Sequence, residues 1–547
     1  MIQKKIRIVI YNYCMTKRSF LFAIFFHLLY AFFIPPIKIP TLFPSVDITK
    51  YNNIREPLET PISTFPITGF YGLIGPHIDY KTIYSLYDLF VGDGLVQGVF
   101  LENGTATFVQ TLVNTEKLAF ETAYGKMPKH MFITMIATVL YHMHFLPNMI
   151  GVANTALMTV NNRTFALFER DMPYELAIDF KKKEVRTVGR YNVPFLSTLS
   201  GHSKIVQCPK DTVQYKNAQG GHSKIVQCPK DTVQYKNAQG GHSKIIECPW
   251  DNSINFKNTQ GGYSNDIHPS QNSKTKKLIE TIEYYVVQQK VIWYQMNEQF
   301  KIQKQFSIPM KYMPMTHDFY SNEDFVILID SPLTIDWEHL GRTEVPICFQ
   351  EKMPTYIYVL YKATGKIETY ISPKSFYIFH FGSVHVSSNN NIEIYASLYD
   401  TMNYNTIYHS GKYRKIVIDP KTKSVNLFKN QVLENLNLDF PVSIKTLNIG
   451  NPIVLRSIQN NRINGFYILE NLNIKKRILW TDRFICGEPA ITYLESGSPI
   501  LICLAFIEQT KQQFCMTIHL ETYEIVEYLI SYPLFVGFHA TFIENLN

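Results

Sequence analysis

The groups in this sequence that could hold a metal are its histidines, cysteines and carboxylates, and their placement is uneven. The stretch Tyr532-Pro-Leu-Phe-Val-Gly-Phe-His-Ala-Thr-Phe542 sets His539 inside an aromatic run just after a proline break. Such a run packs as a strand, and an imidazole held by packing at a strand end is within reach of a metal. A lone histidine on an aromatic face is more often a satisfied core residue, so His539 needs partners. The tetrapeptide Gly-His-Ser-Lys occurs three times, at His202, His222 and His242. Of the eight cysteines, Cys208, Cys228 and Cys248 are copies within that same repeat, and Cys14, Cys348, Cys486, Cys503 and Cys515 show no CxxC spacing. Neither structural zinc on thiolates nor a dense disulfide scaffold is supported.

The elements that would position these groups are short strands. From about residue 67 onward, β-type runs alternate with turn residues such as Gly92-Asp-Gly, Asn103-Gly, Asn161-Asn and Gly365-Lys. Tyr356 to Tyr361, Ile392 to Tyr399 and Tyr413 to Ile418 have strand period. So does the closing series Ile491 to Leu494, Ile500 to Phe506, Phe514 to Leu520 and Glu524 to Ile530. Four strands at about ten-residue spacing make an antiparallel meander, the unit of a propeller blade. With 35 tyrosines and 37 phenylalanines the chain has the side chains that suit half-buried pleated surfaces, so its 547 residues read as one many-stranded core rather than several small domains. Helical spacing is confined to a segment between about Leu112 and Gly151, which holds His142 and His144; these two read as structural or surface residues, as does His385.

Residues 201–220 recur without change at 221–240, and a diverged copy begins at Gly241. Two identical copies beside a diverged one indicate a recent duplication within a single hairpin, with the extra residues bulging outward. The domain organisation read from the sequence is an N-terminal signal or membrane-anchor segment at 1–40, and a propeller domain at 45–547 that carries the duplicated 20-residue insertion at 201–260. The N-terminal reading rests on Lys4, Lys5, Arg7, Lys17 and Arg18 ahead of the apolar run Phe20 to Ile34, which is shorter than the roughly 20 residues a spanning helix needs. The net charge of +8 is spread thinly, which argues against a nucleic-acid partner and for a negatively charged membrane surface.

Several segments resemble the carotenoid cleavage oxygenase family over nearly the whole chain from Gly69 to Phe542. Phe90-Val-Gly-Asp-Gly-Leu-Val-Gln-Gly98 is similar to the family's early aspartate-glycine signature, with Gln97 where a histidine is usual. Gly151-Val-Ala-Asn-Thr-Ala-Leu157 and Phe165-Ala-Leu-Phe-Glu-Arg-Asp-Met-Pro-Tyr-Glu-Leu176 are close to the family pattern. The resemblance implies an all-β fold, a seven-bladed β-propeller with a helical and loop cap over an iron centre held by four histidines. Met313-Pro-Met-Thr-His-Asp-Phe-Tyr320 assigns His317, Phe379-His-Phe381 assigns His380, and Gly537 to Phe542 assigns His539. The first station falls in the repeat, where His202, His222 and His242 compete; the Asn255-Phe256 continuation leans the choice to His242. Spacings from His242 through His317 and His380 to His539 fit one, one and two blades of about 70 residues, and removing the duplicated residues gives His202 the same fit.

Four neutral imidazoles leave Fe(II) positions for oxygen, and need acceptors behind their outer ring N–H groups. The resemblance puts these at Glu169, Glu488 and Asp439, the last where the family has glutamate; one methylene shorter, Asp439 is expected to make a longer or water-bridged bond. The activity implied is that of an iron dioxygenase, with one Fe(2+) per chain and O2 as co-substrate, cleaving a carbon–carbon double bond of a carotenoid or apocarotenoid to carbonyl products. Two other readings stay open: a retinoid isomerohydrolase that uses iron as a Lewis acid, and a degenerate propeller that binds lipid without chemistry. Membrane association is expected, with a cytoplasmic peripheral location as the alternative.

Overall fold

Continuous apolar strands such as Phe325–Asp330, buried along its whole length, need a partner on each face. The computed structural model, which describes residues 52–78, 83, 85–125, 131–143, 145–208, 276–336, 345–444, 452–459 and 462–545, supplies those partners by a ring of seven antiparallel sheets. Along Phe325–Asp330, Phe325, Ile327 and Ile329 pack into one apolar cluster, while Val326 and Leu328 pack into another. The same division runs along Pro499–Ile507, where Ile500, Ile502 and Leu504 face one cluster and Leu501, Cys503 and Ala505 face the next. The two-residue period of a strand thus feeds two interfaces at once. Each fully buried aliphatic side chain contributes about 1.5–3 kcal/mol.

The chain forms a seven-bladed β-propeller. Blade one contains Thr68–Pro76, Gly94–Glu102 and Thr105–Leu112, with Ile54–Leu58 outside them. Blade two begins at Ala156–Val160, blade three at Lys204–Cys208, blade four at Tyr320–Ser321, blade five at Tyr377–Val386 and blade six at Leu438–Ser443. Blade seven opens with two short strands, Arg483–Ile485 and Ala490–Tyr493, which pair with opposite ends of Pro499–Ile507. Ala540–Glu544, at the other end of the chain, pairs with Thr68–Pro76 in the register Gly69 to Glu544 through Leu73 to Ala540, and this seals the ring. The expected closing meander is present, with the correction that its first strand is preceded by a second short one on the same edge.

The chain divides into a large unit, residues 48–119 and 129–547, that holds the propeller, and a second of residues 1–47 and 120–128. The described part of the second is the later half of the helix Glu116–Tyr124, closed by Gly125 at φ +96°. The other helices are Leu86–Val91, capped by reciprocal Ser85 and Asp88 bonds, Met131–His142 and the single turn Gln431–Glu434. No described helix is long and apolar enough to cross a membrane. The signal or anchor segment, the side chains of His142 and His144, and the second and third repeat copies lie outside the described residues.

Candidate metal centre

Each blade sends one chemically capable side chain to the axis. His202 comes from just before Lys204–Cys208, His317 from just before Tyr320–Ser321, His380 from within Tyr377–Val386, and His539 from the residue before Ala540–Glu544. The other three blades send Glu169, in the turn after Arg163–Leu167, Asp439, in Leu438–Ser443, and Glu488, in the gap between Arg483–Ile485 and Ala490–Tyr493. Local irregularities aim them. The ladder of Tyr377–Val386 slips between Ile378 and Phe381, which turns His380 out of the pleat, and that of Leu438–Ser443 slips between Asp439 and Val442. Glu488 is freed from its strand because Gly487 and Pro489 flank it, and its N–H bonds Phe538 O at 3.1 Å instead. Gly201 precedes His202 because a Cβ there would meet Thr155 Cγ2 at 2.8 Å.

One ring nitrogen from each of His202, His317, His380 and His539 lies within 4.8 Å of the others. Ring centroids are 4.4 Å apart for His202 and His317, 4.6 Å for His202 and His539, and 4.9 Å for His380 and His539. His202 fills the first station, where the sequence favours His242; His222 and His242 lie outside the described residues. His385 is exposed and stands apart from the cluster.

Three carboxylates take the outer nitrogens. His317 Nδ1 lies 2.6 Å from Glu169 Oε1, His380 Nδ1 lies 3.1 Å from Asp439 Oδ1, and His539 Nδ1 lies 3.1 Å from Glu488 Oε2. Of the expectation of a longer or water-bridged Asp439 bond, the bridge is corrected: the contact is direct, equal in length to that of Glu488 and longer than that of Glu169. The slip in the ladder and a left-handed Phe440, φ +58°, carry the shorter side chain forward. Asp439 Oδ2 also accepts the Tyr399 hydroxyl at 2.5 Å. Glu488 accepts the Ala540 N–H at 3.1 Å as well.

Burial pushes the His202 imidazole well below its ordinary value, and the neighbouring histidines and Lys204 push it further. Burial also lowers His380, against the opposing pull of Asp439. At His317 burial works the same way, but the charge of Glu169 outweighs it and the net direction is upward. Glu169 and Asp439 stay below the usual carboxylate range in spite of burial, because each faces an imidazole.

The donor set fits a metal ion. With Nδ1–H given to a carboxylate, the Nε2 lone pair is turned inward, and His380 Nε2 is buried with no hydrogen-bond partner. His202 Nε2 and His317 Nε2 lie 2.9 Å apart. That is the separation of neighbouring ligands at a right angle for bonds of about 2.1 Å, and is shorter than a tetrahedral edge. A neutral four-imidazole set suits a first-row divalent ion with open positions.

Asp318, Tyr399 and Phe440 belong to this centre and were not singled out by sequence reasoning. Asp318 follows His317 directly, so an acid beside a ligand was a usable signal; Tyr399 and Phe440 carried none. Gln97, which stands where the family pattern has histidine, is structural: its side chain bonds both the N–H and the carbonyl of Phe535, at 2.8 and 2.9 Å.

The chain is similar to known proteins in sequence and in fold. The family model described as retinal pigment epithelial membrane protein matches residues 65–449, a span that ends before Glu488 and His539. Among curated relatives, the probable carotenoid cleavage dioxygenase 4 of Arabidopsis thaliana is 33% identical over 120 residues, covering 19% of this chain and 20% of the relative. The carotenoid 9,10(9',10')-cleavage dioxygenase 1 of Phaseolus vulgaris is 26% identical over 154 residues, 25% of this chain and 28% of the relative. These alignments span less than a third of either relative. Among solved structures, a mutant of the Synechocystis apocarotenoid oxygenase matches at TM-score 0.66 and 14% identity, over 92% of this chain and 98% of that one. The cobalt-substituted form of that oxygenase matches at TM-score 0.65, again with 14% identity and the same coverage. At that identity the likeness establishes the propeller, and the match over residues 65–449 establishes the lineage: the chain belongs to the family of the retinal pigment epithelial membrane protein and the carotenoid cleavage dioxygenases.

Proposed function

We propose that this protein is an Fe(II)-dependent dioxygenase that cleaves a carbon–carbon double bond of a carotenoid or apocarotenoid to two carbonyl products. The observation that carries the reading is the convergence of four imidazoles with their inner nitrogens facing one another. His202, His317, His380 and His539 would hold the ion, which when bound supplies the binding and activation of dioxygen. Glu169, Asp439 and Glu488 fix the tautomer and the ring planes of three of them. An apolar cluster of Leu333, Tyr377, Phe379, Tyr399, Met402 and Tyr404, with Phe90, Met313 and Met315 packed against it, lies beside His317. Phe379 meets the His317 ring edge-on at 5.2 Å, and Phe90 lies 6.4 Å away. Packing of this composition keeps water from the His317 side of the centre, which limits side reactions.

Protein reconstituted anaerobically with Fe(II), then given oxygen and a panel of carotenoids and apocarotenoids, is expected to yield aldehyde or ketone products. No carbonyl product from any of them would overturn the reading. Labelled O2 separates it from a retinoid isomerohydrolase, which would carry none of the label into product. Purification without bound iron would instead favour a lipid-binding propeller.

Membrane association belongs to the same proposal. It rests on the basic and apolar N-terminal sequence and on the exposed side chains of Val139, Met143 and Phe145, at and after the end of Met131–His142. Flotation with anionic vesicles tests it, and protein that stays at the bottom of the gradient counts against it.

A further inference from the structure

Arg456 is a buried cation that forms no ion pair among the described residues. It is 7% exposed, and its Nε has no hydrogen-bond partner. Buried arginines are ordinarily paired through their planar fork, so the placement asks for another cause. Asp439, Tyr399 and Glu488 favour the cation at longer range, and its close contact is aromatic: its guanidinium carbon lies 3.5 Å from the centroid of the Phe440 ring. Phe440 in turn packs on two of the four histidines, 4.4 Å from His380 and 5.1 Å from His539 between centroids. It does so from a left-handed backbone, φ +58°, that a phenylalanine rarely adopts. In the ladder Arg456 stands opposite Asp439, at the point where the register slips.

We infer that Arg456 is a positioning residue for the metal centre, whose cation, held over Phe440, fixes the left-handed turn that brings Asp439 to His380. This rests on the reading of the four histidines as a metal site. An aspartate is one methylene shorter than the glutamates that serve His317 and His539, so its backbone has to come closer to the imidazole it supports. The slip and the turn at Phe440 supply the approach, and the N–H of Phe440 itself bonds Asp439 Oδ1 at 2.8 Å. A turn of that kind opens unless neighbours hold it. A guanidinium on a desolvated aromatic face is a strong contact, and burial leaves Arg456 charged, its pKa drawn down to about 10.

The test is Co2+ titration, read by the visible ligand-field bands, with melting of the metal-free protein as a second readout. Arg456→Met keeps the bulk and removes the charge. It is expected to weaken Co2+ binding by about tenfold to a hundredfold and to shift the bands, as loss of an outer support does. The metal-free protein should melt no lower than wild type, because an unpaired buried cation has been removed. Adding Asp439→Glu to Arg456→Met should restore the affinity, since the longer carboxylate reaches His380 without the turn. Phe440→Leu should weaken binding by the same factor, with no further loss when Arg456→Met is added. Wild-type affinity in Arg456→Met, additive losses in the pair, or absence of rescue by Asp439→Glu would overturn the inference. Should Arg456→Met fail to fold, unchanged affinity in Phe440→Leu does so alone. Wild-type protein that binds no Co2+ would overturn the metal reading itself, and this inference with it.

Discussion

His202 Nδ1 stands 4.0 Å from Asp318 Oδ1, beyond hydrogen-bond reach, while Lys204 Nζ comes within 2.5 Å of that same oxygen. Asp318 is further engaged by the N–H groups of Phe319 and Phe381, at 2.8 and 3.1 Å. It therefore ties the strand of His202 to the strand of His380 rather than polarising either ring, and His202 alone among the four has no carboxylate on its outer nitrogen among the described residues. Asp318→Asn is expected to cost stability, about 1–3 kcal/mol for a largely buried pair broken on one side. Urea unfolding reads that loss. Metal affinity should fall much less than in the carboxylate variants below, and an equal fall would assign Asp318 to the ring instead.

Glu169→Gln and Glu488→Gln keep shape and hydrogen-bonding capacity but replace an obligate acceptor with an amide that can also donate. Metal affinity is expected to fall by about tenfold to a hundredfold in each. Isothermal titration with Co2+ or Fe(II) under argon measures it. Glu488 should be the more sensitive of the two, because its Oε2 meets both His539 Nδ1 and the Ala540 N–H at 3.1 Å, whereas the 2.6 Å approach of Glu169 Oε1 to His317 Nδ1 is ionic and leaves that oxygen without a hydrogen bond. Wild-type affinity in both variants would mean that the rings are oriented by packing alone.

Much of this centre was legible in the sequence because each histidine and carboxylate sits in its own recognisable surroundings. The strands were legible for a related reason. A blade buried on both faces shows long apolar runs, and these stand out between Gly, Asn and Asp turns. What the sequence did not carry was the choice among Gly-His-Ser-Lys copies, since the tetrapeptide is identical in all three and the downstream Asn255-Phe256 continuation favours the third copy over the first. Nor did it carry the reach of Asp439, which depends on a ladder slip and a left-handed Phe440 rather than on side-chain length. Tyr399 closes an ordinary alternating strand, and only its distance to Asp439 distinguishes it.

Acidification should destabilise the metal-free protein. His202 and His380 both titrate below their ordinary value when folded, so below about pH 6.5 the unfolded chain takes up protons that the folded chain refuses. Their contribution is complete above that pH and is lost as pH falls towards the folded values. His317, shifted upward, has the opposite sign: it favours the fold at low pH, and that contribution is lost as pH rises through its folded value. Half-buried His409 is lowered as well, and Asp330, raised to about 6 by burial, opposes them only towards the acid end; the three lowered histidines, His202 strongly so, outweigh the raised pair. The melting temperature should drop between pH 7.5 and 5.5, and drop less in His202→Asn. An equal drop in that variant would remove His202 from the account.

The duplicated repeat gives the last test. In the structure the first copy supplies His202, and Lys204–Cys208 then pairs with Lys276–Glu280, Ile205 opposite Ile279 and Val206 opposite Leu278. The third copy reads Gly241-His-Ser-Lys-Ile-Ile-Glu-Cys248, so deleting residues 201–240 joins Ser200 to a segment with glycine, histidine, lysine and both apolar positions in the same order. Gly241 would keep the close approach to Thr155 that Gly201 makes, Lys244 would stand where Lys204 meets Asp318, and Ile246 would add a single methylene at Val206. Fold and metal stoichiometry are expected to survive the deletion, with His242 now the ligand. In the full-length chain, by contrast, His202→Ala should abolish metal binding and His242→Ala should leave it intact. The reverse result would return the first station to His242. Retention in both single variants would show that the copies replace one another by slipping along blade three, because Lys204-Ile-Val-Gln-Cys208 and Lys244-Ile-Ile-Glu-Cys248 offer the same alternation to the neighbouring strand.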